Sequence, residues 1–210
     1  MKIFIAGGTG RVATALSDFL VAAGHQVIAG ARHPENVTNT EVTAVKLDLT
    51  ASVAEIAQVV GKVDVIYFTA GSRGKDLLQT DAFGAVKLMR AAELNQISRF
   101  IMLSSLHALQ PDKWSQGDLA GLTNYNIAKF FADNYLITNT NLSYTILQPA
   151  TLTETPATHK IAVNHDLATA NSLVDVAQTL AEILKFPNTI GKVIEMSAGP
   201  TPIAKALAEI

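Results

Sequence analysis

Short apolar runs rich in β-branched residues alternate along this chain with longer stretches whose apolar positions recur every three to four residues. That alternation predicts βαβ units around a parallel sheet. Lys2–Ala6 reads as a first buried strand, followed by a helix over 10–23 whose Val12, Leu16, Phe19 and Leu20 share one face. Gly24 ends that helix. Strands follow at Gln26–Ala31, 42–47 and 62–68, with a short helix to about Val60 capped by Thr50 or Ser52. A helix over 77–95 carries a mid-helix glycine, Gly84, which points to close packing against a neighbour. Arg99–Leu103 is the fifth strand, 106–124 a long loop, 125–137 a helix and 142–148 the sixth strand. Beyond Pro149 the periodicity weakens into a threonine-rich stretch over 150–171, with a short strand at Lys160–Val163. A helix over 173–184 capped by Ser172, a strand over 192–196 and a helix over 202–210 complete the chain.

Composition narrows the classes of function. With 210 residues, 49% of them hydrophobic and 16% charged, the chain can bury a sizeable core. A net charge of −2 without a run of basic residues argues against a nucleic-acid or anionic-membrane footprint. The absence of cysteine excludes disulfides, thiolate catalysis and cysteine–zinc sites. The five histidines, at 25, 33, 107, 159 and 165, lack metal-ligand spacing, so no metal site is expected. No apolar run is long enough to span a membrane. A strand pattern already under way at residue 3 leaves no room for a signal peptide, so a cytoplasmic protein is expected.

The first strand runs directly into Gly7-Gly8-Thr9-Gly10-Arg11-Val12-Ala13. This segment fits G-x-G-x-x-[G/A] counted from Gly8, and also the glycine spacing of short-chain dehydrogenases counted from Gly7. Either way, glycines permit a tight turn and close approach of a pyrophosphate, and the following helix N-terminus offers unpaired N–H groups and partial positive charge. The expected contacts are Gly7, Gly8, Thr9, Gly10, Arg11 and Val12. At the end of the second strand, where an NAD site usually carries an acid, stands Arg32. Its guanidinium suits a 2′-phosphate and favours NADP, while Glu35 nearby keeps NAD open. Asp48, with Leu49 beside it, is placed either to accept from an adenine amino group or to cap the next helix. Thr69-Ala70-Gly71 ends the fourth strand where a backbone can pass along a dinucleotide, or forms a bare turn.

Tyr125 and Lys129 lie four apart and share one helix face. A nearby cation favours phenolate and makes a tyrosine a usable general acid/base. Ser104 and Ser105 end the preceding strand, where a hydroxyl can hydrogen-bond a substrate carbonyl. Trp114, in the long loop, either lines a pocket or covers apolar surface. No Gly-x-Ser-x-Gly elbow is present, which argues against hydrolase chemistry.

Gly7–Arg11, Asp48-Leu49, Thr69–Gly71, Arg99 to Ser105, Tyr125-x-x-x-Lys129, Gln148-Pro149 and Val174–Ala177 together resemble an atypical, extended-like short-chain dehydrogenase/reductase of the NmrA-like and biliverdin-reductase-B-like kind. The resemblance runs from residue 1 to about 200. It implies an α/β fold, a Rossmann doubly wound parallel sheet with helices on both faces, within a single NAD(P)-binding domain of residues 1–210. Residues 150–190 would form a very small C-terminal substrate lobe. It further implies Ser105, Tyr125 and Lys129 as catalytic residues, with Lys129 also holding the nicotinamide ribose and Ser104 and Pro149 beside the cofactor. The expected activity is reduction of a small carbonyl, quinone or flavin-like acceptor by NADPH; some relatives instead sense the dinucleotide without turnover. A small-molecule substrate, no nucleic acid or membrane partner, and a monomer or small homo-oligomer are expected. The sequence departs from the pattern at Asp81, where asparagine is usual, and at Gln148, where arginine is usual.

Overall fold

The computed structural model describes residues 1–115, 117–164 and 170–210, together with the backbone but not the side chains of 117–119; His165 lies outside the described residues. Its centre is a nine-stranded sheet. The strands are β1 (Lys2–Ala6), β2 (Gln26–Ala31), β3 (Thr43–Lys46), β4 (Val65–Phe68), β5 (Arg99–Leu103) and β6 (Ser143–Pro149), then β7 (Thr151–Thr153), β8 (Lys160–Val163), β9 (Ala170–Ser172), β10 (Lys192–Ala198) and β11 (Thr201–Pro202). The sheet order is β3-β2-β1-β4-β5-β6-β10-β8-β11, parallel from β3 to β10, while β7 and β9 pair apart as a second, two-stranded sheet. The chain winds outward from β1 in both directions, the arrangement of a Rossmann-like α/β fold.

Both faces are covered, which explains the continuously apolar strands. On β1, Ile3 and Ile5 point to one face and Phe4 and Ala6 to the other. The first face packs under α1 (Arg11–Ala22), α5 (Leu173–Glu182) and α6 (Ile203–Ala208), through Leu16, Leu20, Val176, Leu180 and Leu207. The second packs under α2 (Val53–Val60), α3 (Phe83–Leu94) and α4 (Thr123–Asn139), through Ile56, Leu88, Met89 and Leu136.

Local chemistry settles several boundaries. Ser52, not Thr50, caps α2, through a capping box with Glu55. Thr50 instead donates from its backbone N–H (2.8 Å) and hydroxyl (2.7 Å) to Asp48 Oδ1. Ser172 stands at the N-cap position of α5 but does not cap it, because its hydroxyl donates to the Thr155 carbonyl at 2.8 Å. The helix expected over 77–95 opens as a π-helical stretch, Leu77–Ala82, before α3. There the buried Asp81 accepts from the Ser72 N–H at 2.9 Å, closing the loop after β4. A Cβ on Gly84 would meet the Gln79 carbonyl oxygen at 2.9 Å and Leu49 Cβ at 3.1 Å, which is the close packing its position foretold. No helix among the described residues is long and apolar enough to cross a membrane.

Candidate functional site

β1, β2 and β4 end level, because Ala6 is in register with both Gly30 and Phe68. The chain leaving β1 therefore turns between two neighbouring strand ends. The Gly7 and Gly8 N–H groups both donate to the Gly30 carbonyl, at 2.9 and 3.0 Å. Gly7 has φ +88°, and a Cβ there would lie 2.6 Å from Ala70 Cα. Only glycine fits this position. The turn delivers Gly10 as N-cap of α1, whose first turn has no side-chain cap and no acidic residue. Its leading N–H groups are left to meet an anion.

A cleft of about 740 Å³ runs along the carboxyl ends of the strands, a size that suits a cofactor. Of the sequence-predicted positions, Gly7, Thr9, Gly10, Arg11, Val12, Arg32, Asp48, Leu49, Thr69, Ala70, Gly71 and Tyr125 line it. Gly8, Ser104, Ser105, Lys129 and Pro149 do not. Gly8 backs onto Ala29 of β2 instead. Pro149 is buried, and its carbonyl accepts from Leu106 N–H at 2.9 Å, pinning the chain just beyond Ser105. Ser105 is half-buried. Trp114 packs edge-on against Phe130 at 5.9 Å and donates to the His107 carbonyl, so it covers apolar surface and does not line the cleft.

Polar groups converge at the β1–β2–β4 end of the cleft. Hydrogen bonds from Thr50, aided by Lys87 and Arg32, hold the Asp48 carboxyl below its usual range. Glu35 turns to His33 at 3.0 Å and does not line the cleft, whereas Arg32 does. Buried Ser72 Oγ and Asp81 Oδ1 have no protein partner among the described residues, and both residues line the cleft. Arg73 and Lys75 add positive charge there. An uncapped helix start, a glycine turn that excludes side chains, unpartnered polar atoms and several cations together fit a dinucleotide.

Beneath the β5 end lies a network that the sequence reading missed. Lys129 is buried and donates to the Leu103 carbonyl at 3.2 Å. Its Nζ lies 5.6 Å from the ring centroid of Tyr125 and 5.7 Å from that of Phe68. One turn on, Asp133 is completely buried. Its Oδ2 accepts from Ser104 Oγ at 2.6 Å and from Gln148 Nε2 at 2.8 Å. Burial pushes this carboxyl up to about 6, against the opposing pull of both hydrogen bonds and the Lys129 charge. The signal was available: Tyr125, Lys129 and Asp133 repeat every four residues, and Asp133 falls among the apolar Ala128, Ala132 and Leu136.

A parallel sheet whose strand order reverses beside a glycine turn, with a tyrosine–lysine helix at the far end of the same cleft, defines a Rossmann-like protein of the NAD(P)-binding type. The chain belongs to the NAD(P)H-binding family, whose model matches residues 7–187. It is similar to the oxidoreductase ylbE of Lactococcus lactis, with 45% identity and a TM-score of 0.97 over 100% of this chain and 96% of that one. It is 35% identical over 219 residues, the full length of both chains, to a Bacillus subtilis protein named uncharacterized sugar epimerase YhfK. A candidate NAD-dependent epimerase/dehydratase from Bacillus halodurans shares 29% identity and a TM-score of 0.90 over 100% of both chains. The chain is thus a member of a family of NAD(P)H-binding, oxidoreductase- and epimerase-like proteins.

Proposed function

We propose that this protein is an NADPH-dependent reductase acting on a small carbonyl, quinone or flavin-like acceptor. The observation that carries the reading is that Arg32 and Tyr125 line the two ends of one cleft, with the glycine turn between them. Bound there, NADPH supplies the hydride. The uncapped start of α1 and Gly7 receive the pyrophosphate. Arg32 pairs with the 2′-phosphate, a role supported by Glu35 turning away to His33. Ser105, whose hydroxyl makes no hydrogen bond among the described residues, orients the acceptor oxygen. Tyr125 donates the proton to that oxygen, and Lys129 backs its ring and ties α4 to the end of β5. The likeness to the L. lactis oxidoreductase supports the same chemistry.

The test follows absorbance of NADPH against a panel of quinones, flavins and aldehydes, alongside direct measurement of NADPH and NADH affinity. Turnover of at least one acceptor, with tighter NADPH than NADH binding, is expected. Tight cofactor binding with no turnover of any acceptor refutes the reductase reading.

A further inference from the structure

The cleft is divided by polarity. The cations that line it, Arg11, Arg32, Arg73 and Lys75, all follow β1, β2 or β4. Its acids, Asp48, Asp76 and Asp81, belong to the same end. At the β5–β6 end the described lining residues are Leu103, Leu122, Leu152, Leu173 and Tyr125. They come from five places in the chain: the end of β5, the segment before α4, the first turn of α4, β7 and the start of α5. Two cations adjoining this end have protein partners. Arg11 Nη1 holds Glu154 at 2.7 Å, and Lys129 is buried on the Leu103 carbonyl.

Resting on the reductase reading, we infer that the acceptor at this end is an uncharged, flat, largely apolar carbonyl compound, an aromatic aldehyde or a quinone, and not a phosphorylated or nucleotide-linked sugar. Placing a phosphate or carboxylate against a leucine wall removes its hydration and, from the described side chains of that wall, returns no cation. A sugar would set several hydroxyls against the same wall where, among the described residues, the side-chain hydroxyls assigned to the acceptor are those of Tyr125 and Ser105. An aromatic ring loses nothing of the kind, and the carbonyl oxygen that reacts needs only the Tyr125 and Ser105 hydroxyls. The electrons balance: with an aldehyde, hydride from NADPH goes to the carbonyl carbon, the Tyr125 proton, resupplied by solvent, goes to its oxygen, and C=O becomes CH–OH as NADPH becomes NADP; a quinone takes the same hydride and proton to become a hydroquinone. This separates the acceptor from the sugar named for the B. subtilis relative. The chain has no cysteine, so a quinone probe has no thiol to alkylate.

The experiment compares p-tolualdehyde with p-formylbenzoate, which differ by methyl against carboxylate, and adds menadione and UDP-galactose. Calorimetry on the NADP-bound protein reads binding without turnover, and NADPH oxidation reads kcat/KM. We expect p-tolualdehyde to bind about tenfold or more tighter than p-formylbenzoate, menadione to bind, and UDP-galactose not to. Leu152→Lys, and Leu122→Lys at the more exposed site, should each shrink that preference by raising p-formylbenzoate affinity. Equal or tighter binding of p-formylbenzoate or UDP-galactose overturns the inference, as does a preference that neither lysine variant changes. A protein that binds NADP yet no neutral acceptor also overturns it, while the dinucleotide reading stands. Failure to bind NADP at all overturns the reductase reading itself.

Discussion

Asp133 makes an unusual prediction, because a buried carboxylate that accepts two hydrogen bonds ought by habit to be read as stabilising. Its carboxyl has an ordinary value of 3.8 and is pushed up to about 6 in the folded protein. The folded state therefore binds this proton more tightly than the unfolded chain does. Between those two values the native protein holds more protons, so this group's contribution to stability falls as pH rises, and the loss is complete above the folded value. The size follows from the displacement, at about 1.4 kcal/mol for each tenfold change in proton affinity, or about 3 kcal/mol as an upper figure. Asp133→Asn removes the titration while keeping the geometry, since an amide oxygen can accept from both Ser104 and Gln148 in place of Oδ2. It also leaves the neighbouring Lys129 charge less compensated, which reduces the gain. Urea unfolding of both proteins at two pH values, one below the ordinary value of 3.8 and one near 8, is the assay. The variant should match the parent at the lower pH and exceed it by roughly 1–3 kcal/mol at the higher. A stability difference that is the same at both values refutes the reasoning, because no other titrating group changes in the comparison.

Three further outcomes are expected. Arg32→Ala should weaken NADPH binding by about tenfold while leaving NADH binding nearly unchanged, as for a charge-assisted contact on an exposed side chain; parallel loss of both affinities refutes the 2′-phosphate role. Gly7→Ala should destabilise the fold by about 1–3 kcal/mol and abolish dinucleotide binding, because a Cβ meets Ala70 Cα at 2.6 Å in a left-handed backbone; calorimetric titration and thermal unfolding read both effects. Tyr125→Phe should lower aldehyde reduction by about 100-fold or more while NADPH affinity holds, and unchanged kcat removes the proton-donor assignment.

The sequence showed most clearly what is local. Lys2–Ala6, the glycine turn and α1 are contiguous, so strand, turn and helix start could be read together, and they stand where expected in the fold. The same holds for the capping box at Ser52, which needs only four consecutive residues. Ser172 misled because its own position allows a cap, whereas a carbonyl 17 residues back in the chain takes its hydroxyl. Trp114 could not be assigned from its loop, since its partner Phe130 lies on another element.

By itself the sequence determined the alternation of strands and helices, the place of the glycine turn and the tyrosine–lysine face, because each depends on spacing along one short segment. Only the tertiary structure decided that Ser104, Asp133 and Gln148 meet, across 29 and 15 residues of chain. It also decided that the cleft is charged at one end and apolar at the other. Both depend on strand order, and a parallel sheet brings together the ends of segments far apart in the chain.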